Sequence, residues 1–270
     1  MLSGEGDRMP LDPDLVRALH VERLGRLAVR AGERLHHALF QTSTIDALLS
    51  GSYEGDVSFA ELGARGDFGL GTFDALDGEM IGLDGVFYQI KADGRAYEVE
   101  EQTKTTFAVV TFFEPREIRQ LAAPMDHAAF RTYLDGVVAD DAATCHAVRI
   151  DGHFSYVKTR SVPRQHKPYP PLVEVVEHQV TFELHDVRGS LVGFRFPDYV
   201  GGLNMAGYHF HFITEDRGAG GHLLEFQITR GELSVDHESD LNLELPAGVD
   251  EAMPDLAPSK KDELNRIENA

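Results

Sequence analysis

Hydrophobic and polar positions follow two different rhythms along this chain. Up to Gln41, Leu15, Leu19, Leu24, Leu27, Leu35 and Leu39 recur near helical spacing, and Asp12 followed by Pro13 offers a helix start, so residues 1–42 are expected to form a helical extension. Arg17, Arg23, Arg26, Arg30 and Arg34 lie among acidic residues there, which suits an accessory packing or oligomer helix better than a targeting segment. From Ser43 the runs shorten. Ser43-Thr44-Ile45-Asp46 opens a short helix, and glycines between Gly63 and Gly85 place turns every few residues. Residues 79–82 and 86–90 flank Leu83-Asp84-Gly85 as a hairpin, and residues 106–113 form an apolar run of buried-strand character. Residues 116–121, just after Pro115, and 127–137, after Met125-Asp126, read as helices.

Strand character then dominates in residues 145–150, 155–162, 178–184, 190–196, 208–213, 222–228 and 232–235. The Pro-rich residues 163–171 form a boundary or long loop, and residues 246–258 a connector to a short final helix, where Ser259 and Asp262 resemble a capping box. The pattern predicts a β-rich protein.

Composition supports that reading: 270 residues at 42% hydrophobic content can bury a core in one large domain or two joined tightly, and 16 Phe, 8 Tyr, 26 Gly and no Trp favour strands and turns. The balance of 25 Lys plus Arg against 45 Asp plus Glu, net -20, repels nucleic acid and anionic lipid. It repels an anionic substrate as well, so a site for an acid must carry its own positive charge from a metal or an Arg. The single cysteine, Cys145, excludes an intrachain disulfide, and with no long apolar stretch the expectation is a cytoplasmic protein.

Among the 13 histidines, three stand at ligand spacing. In Tyr208-His209-Phe210-His211-Phe212 strand alternation puts both imidazoles on one face and both phenyl rings on the other. The polar, glycine-rich stretch between Ile213 and Gly221 returns the chain as the next strand, which brings His222 near His211. Three imidazoles with an open position match a catalytic rather than a structural zinc. Two other readings stand beside this one. His209, His211 and Glu215 resemble the first half of a cupin metal motif, implying a metal-dependent oxygenase or isomerase, although Leu203 replaces the glycine expected ahead of it and no second half is evident around His237. A third reading makes the hairpin a non-catalytic metal-binding β module.

The ordered stretches Ser43-Thr44-Ile45-Asp46-Ala47-Leu48, Gly66-Asp67-Phe68-Gly69-Leu70-Gly71-Thr72-Phe73, Leu76-Asp77-Gly78-Glu79-Met80-Ile81-Gly82, Arg149-Ile150-Asp151-Gly152, Thr159-Arg160, Gly207-Tyr208-His209-Phe210-His211-Phe212-Ile213 and Gly220-Gly221-His222 resemble the α-acetolactate decarboxylase family. The resemblance runs from about Ser43 to the C-terminus, and residues before Ser43 depart from it. It implies a mixed α/β, β-rich fold of two tightly associated domains, residues 43–165 and a metal-binding 166–250, with a tail helix over 251–270 returning to the site. It further implies a homodimer, zinc on His209, His211 and His222, catalytic roles for Glu79, Arg160 and a tail carboxylate, and substrate contacts from Thr72 and Leu76. Glu268 is the tail carboxylate chosen, with Glu263 as the alternative. The implied reaction turns 2-acetolactate into acetoin and carbon dioxide, with zinc as the electron sink at the hydroxyl and ketone oxygens, Arg160 orienting the carboxylate and a Glu supplying the proton.

Overall fold

Glycine-punctuated short runs pair into one sheet and long uninterrupted runs into another in the computed structural model, which describes residues 37–245. Of the helical extension expected over residues 1–42, residues 1–36 lie outside the described residues, as do the tail helix, Glu263 and Glu268, while Ala38–Thr42 form a strand instead. In chain order the strands are β1 (Ala38–Thr42), β2 (Val57–Ser58), β3 (Phe68–Thr72), β4 (Glu79–Leu83), β5 (Val86–Ile90), β6 (Ala96–Glu98), β7 (Lys104–Thr105), β8 (Ala108–Thr111), β9 (Glu117–Leu121), β10 (Met125–Asp126), β11 (Cys145–Ser161), β12 (Val180–Phe196), β13 (Gly207–Thr214), β14 (Gly220–Glu238) and β15 (Asp240–Glu244). The α-helices are α1 (Ile45–Leu49), α2 (Phe59–Gly63), α3 (His127–Val137) and α4 (Leu172–Val176).

The first sheet runs β15-β1-β8-β3-β4-β5-β6, and its β1–β15 pair is parallel while the others are antiparallel. The second sheet is antiparallel and runs β10-β14-β11-β12-β13, with β9 on β14 and β13 pairing back to β14. The fold is therefore mixed and β-rich, as the pattern predicts. Asp84 and Gly85 both take positive φ, so the β4–β5 hairpin closes through a two-residue turn of the kind that Asp-Gly favours.

Tertiary pairing overrides local pattern in two places. Residues 117–121, read as helix, form β9 along β14, and Leu39, counted at helical spacing, lies in β1 beside a strand some two hundred positions on. Long-range ladders decide short segments whose own preference is weak. Three pairs of expected strands are also single long ones, β11, β12 and β14, and register shifts near His153, Phe154 and Tyr156 let the β11–β14 ladder continue through its irregularities. His37, expected on a helix, instead takes φ 55° and its Nδ1 lies 2.7 Å from Asp236 Oδ1. His146 and His237 are cross-strand partners with ring centroids 4.8 Å apart.

The main core lies between the two sheets, where Leu70, Ile81 and Ile90 of the first meet Val192, Phe194 and Ile213 of the second. A second cluster packs α3 through Phe130 and Leu134 onto Phe210, Phe212 and Phe226. Alternation in β13 thus sends Phe210 and Phe212 to α3 and leaves His209 and His211 on the side of Ile213, toward the first sheet. No helix among the described residues is long and apolar enough to cross a membrane.

Candidate metal centre

Register sets the donors. In one ladder row, Arg160 of β11 stands opposite His222 of β14, and His222 stands opposite His211 of β13, so the three side chains share a face. His209 follows by alternation. For β14 to enter between its two neighbours, Gly221 takes φ +141°, and a Cβ there would lie 2.5 Å from the Arg160 carbonyl oxygen. Glycine at this position is a condition for the row.

The first sheet brings the remaining groups from above. Gly78 takes φ +89°, where a Cβ would lie 2.2 Å from the Ile90 carbonyl oxygen, and the Thr72 hydroxyl donates to the Gly78 carbonyl at 2.7 Å. This turn delivers Glu79 as the first residue of β4, paired with Thr72 of β3. Ala75 and Leu76 both adopt left-handed φ, 58° and 54°, an uncommon state for non-glycine residues, and the backbone N–H groups of Ala75 and Leu76 donate to Tyr53 and Phe73 carbonyls.

The imidazole nitrogens that His209, His211 and His222 can offer a metal lie within 4.8 Å of one another, and His209 Nε2 is 3.2 Å from His222 Nδ1. His211 Nδ1 donates to the Met80 carbonyl at 2.8 Å, which leaves the lone pair on Nε2. Among the described residues that Nε2 has no hydrogen-bond partner; Glu79 Oε2 lies 3.6 Å away, beyond hydrogen-bond reach. Glu79 Oε1 in turn lies 3.4 Å from Arg160 Nη1, with Glu79 and Arg160 only 7% and 5% exposed.

Burial pushes the His211 imidazole well below its ordinary range, the His222 and Arg160 charges add to this, and the Met80 carbonyl opposes them. Burial, then Arg160 and His127, also lowers His222 strongly. Both rings are held neutral, the form that offers a lone pair to a cation. A buried, partnerless nitrogen lone pair amid neutral imidazoles fits a divalent metal such as zinc.

All of these groups open onto one cavity of about 530 Å³ of empty space, counting the solvent at its mouth. Its lining includes Thr72, Leu76, Glu79, Arg160, His209, His211 and His222, the seven expected site residues that fall within the described range. Sequence reasoning did not identify its apolar walls, Ile45, Leu48, Phe107, Val162, Leu172 and Met205. Val162 was within reach, since it follows Arg160 at strand period, whereas the Met80 carbonyl leaves no trace in residue type.

Comparison with known proteins decides what this arrangement belongs to. The chain matches the alpha-acetolactate decarboxylase family over residues 39–255. The chain belongs to that family. It is 45% identical over 249 residues to the alpha-acetolactate decarboxylase of Methanosarcina mazei, covering 92% of this chain and 86% of that one. Against the Methylococcus capsulatus alpha-acetolactate decarboxylase the identity is 46% over 233 residues, 86% of this chain and 89% of the relative. The crystal structure of alpha-acetolactate decarboxylase from Bacillus subtilis strain 168 superposes with a TM-score of 0.82 at 36% identity, covering 86% of this chain and 99% of that chain. As a member of the family the protein is an enzyme, a carboxy-lyase of acetolactate, and the cupin-type and non-catalytic readings give way.

Proposed function

We propose that the decarboxylation of 2-acetolactate to acetoin and carbon dioxide depends on zinc held by His209, His211 and His222. The observation that carries the proposal is the convergence of three buried imidazoles, one buried guanidinium and one buried carboxyl on a single cavity. When bound, zinc supplies Lewis-acid charge at the substrate hydroxyl and ketone oxygens, where electron density collects as carbon dioxide leaves.

The chain's own groups take the other roles. Arg160 is the cationic side chain of the lining, and its Nε has no hydrogen-bond partner among the described residues, so the guanidinium retains a donor for the substrate carboxylate. This is the local positive charge that a chain of net charge -20 must provide for an anionic substrate. Once the carbon–carboxylate bond breaks, its electron pair moves toward the neighbouring ketone and the carbon takes a proton. A carboxyl group, Glu79 or the tail residue Glu268, delivers that proton on one face and so sets the handedness of acetoin. Thr72 and Leu76 bound the substrate. A cytoplasmic homodimer completes the proposal, from the family resemblance and the lone cysteine.

The test is acetoin release from racemic 2-acetolactate by purified protein, before and after chelation and after zinc restoration, against a heated-protein control for spontaneous decay. Turnover lost on chelation and restored by zinc is expected. Undiminished turnover by protein verified metal-free would refute the zinc dependence.

A further inference from the structure

We propose that Gln41 and Asn204 are a positioning pair that holds the apolar wall of the cavity and thereby sets the size of alkyl group the enzyme accepts on its substrate. The inference rests on the reading of this cavity as the substrate site.

A buried carboxamide is costly unless its N–H groups and oxygen find partners. Gln41 is 0% exposed and Asn204 1%, and their side chains answer one another. Asn204 Nδ2 donates to Gln41 Oε1 at 2.8 Å, and Asn204 Oδ1 accepts from the Met205 backbone N–H at 2.7 Å. Gln41 Nε2 donates to the Ser43 carbonyl at 2.9 Å and to the Leu203 carbonyl at 2.7 Å. Leu203 O also accepts from Ile45 N at 3.0 Å, and Gly202 O from Asp46 N at 3.4 Å. The loop before β13 thus satisfies backbone donors in the first turn of α1 that would otherwise lack partners within the helix. The end of β1, the start of α1 and the loop carrying Met205 become one hydrogen-bonded unit with the amide pair at its root.

Neither amide lines the cavity, but Ile45, Leu48 and Met205, which the unit carries, do. Apolar packing is non-directional and does not by itself fix how far such a wall stands from the polar groups; hydrogen bonds do. On that reading 2-acetolactate turns its oxygens toward the metal centre and the guanidinium and two methyl groups elsewhere, so an apolar wall is the surface its alkyl substituents meet. One methylene in a fitted apolar pocket changes kcat/KM by about 10–200-fold, so a wall that loses its anchor should discriminate less.

The experiment compares Asn204→Ala and Asn204→Asp with the unaltered enzyme on 2-acetolactate and on its homologue with ethyl in place of the methyl on the hydroxy-bearing carbon, with zinc content and melting temperature measured in parallel. Asn204→Asp keeps the acceptor for Met205 N–H and loses the donor to Gln41, so it decides the matter by the same ratio if the alanine variant does not fold. The expected result is unchanged zinc content, a KM for 2-acetolactate raised roughly tenfold with kcat altered less than about threefold, and a methyl-over-ethyl preference reduced about fivefold or more, within the range one methylene commands. Gln41→Ala, which cuts the link to Asn204 and also removes the donor to the Ser43 and Leu203 carbonyls, should lower the preference at least as far as Asn204→Ala does. Equal losses on both substrates, or an unchanged preference, would overturn the positioning role. Zinc and full activity retained in His211→Ala would instead defeat the reading of the cavity itself, so the two failures are told apart.

Discussion

Replacing Arg160 by alanine separates substrate charge from metal binding. The guanidinium is 5% exposed, lies 3.4 Å from Glu79 Oε1 and contributes no lone pair, so it is no ligand of a cation. Toward a bound carboxylate at ~4 Å it exerts about 4 kcal/mol at an effective dielectric near 20. A hydrogen bond to a charged group contributes about 1.5–3 kcal/mol net. At about 1.4 kcal/mol per tenfold, the span from about 1.5 to 4 kcal/mol predicts a fall in kcat/KM of about 10- to 1,000-fold. Breaking a buried ion pair also costs about 3–5 kcal/mol of stability, so melting temperature must be followed. The assay is steady-state acetoin release with zinc quantified in the same preparation. Added guanidinium should restore part of the rate in Arg160→Ala, and Arg160→Lys should fall between, keeping the charge without the planar fork. Full turnover in Arg160→Ala, or loss of zinc together with activity, would refute the assignment.

His211→Ala is expected to lose zinc and turnover together, read by metal analysis and the acetoin assay, because it removes the donor whose tautomer the Met80 carbonyl sets. Deleting residues 259–270 should lower kcat while leaving the melting temperature close to that of the full chain if the tail supplies the carboxyl group; an unaffected rate would return the proton delivery to Glu79. Burial and then the Asp236 charge raise Glu238 from its ordinary 4.5 to about 8, against Thr111 and Arg116. The folded state therefore holds a proton that the unfolded chain has released, and stability falls as pH rises from 4.5 to about 8, by up to a few kcal/mol. Glu238→Gln should flatten that slope in urea unfolding; parallel curves would contradict it.

Period-two alternation in residues 208–212 and a glycine-rich return to His222 were enough to select three histidines from 13, because strand geometry is local and imidazole chemistry is carried by residue type. The Asp84-Gly85 turn and the α3 boundaries, with Asp126 as N-cap, were legible for the same reason. Tertiary structure alone decided β9 and β1, whose segments take their conformation from distant partners. It also decided that Glu79 and Arg160, 81 positions apart, meet within 3.4 Å, since that requires two sheets to pack with their polar ends in register. Apart from Val162, the apolar wall lay beyond pattern reading, and so did the amide pair behind it, because a buried Gln or Asn is indistinguishable in sequence from a solvated one, and only the folded chain removes the water that makes its partners matter.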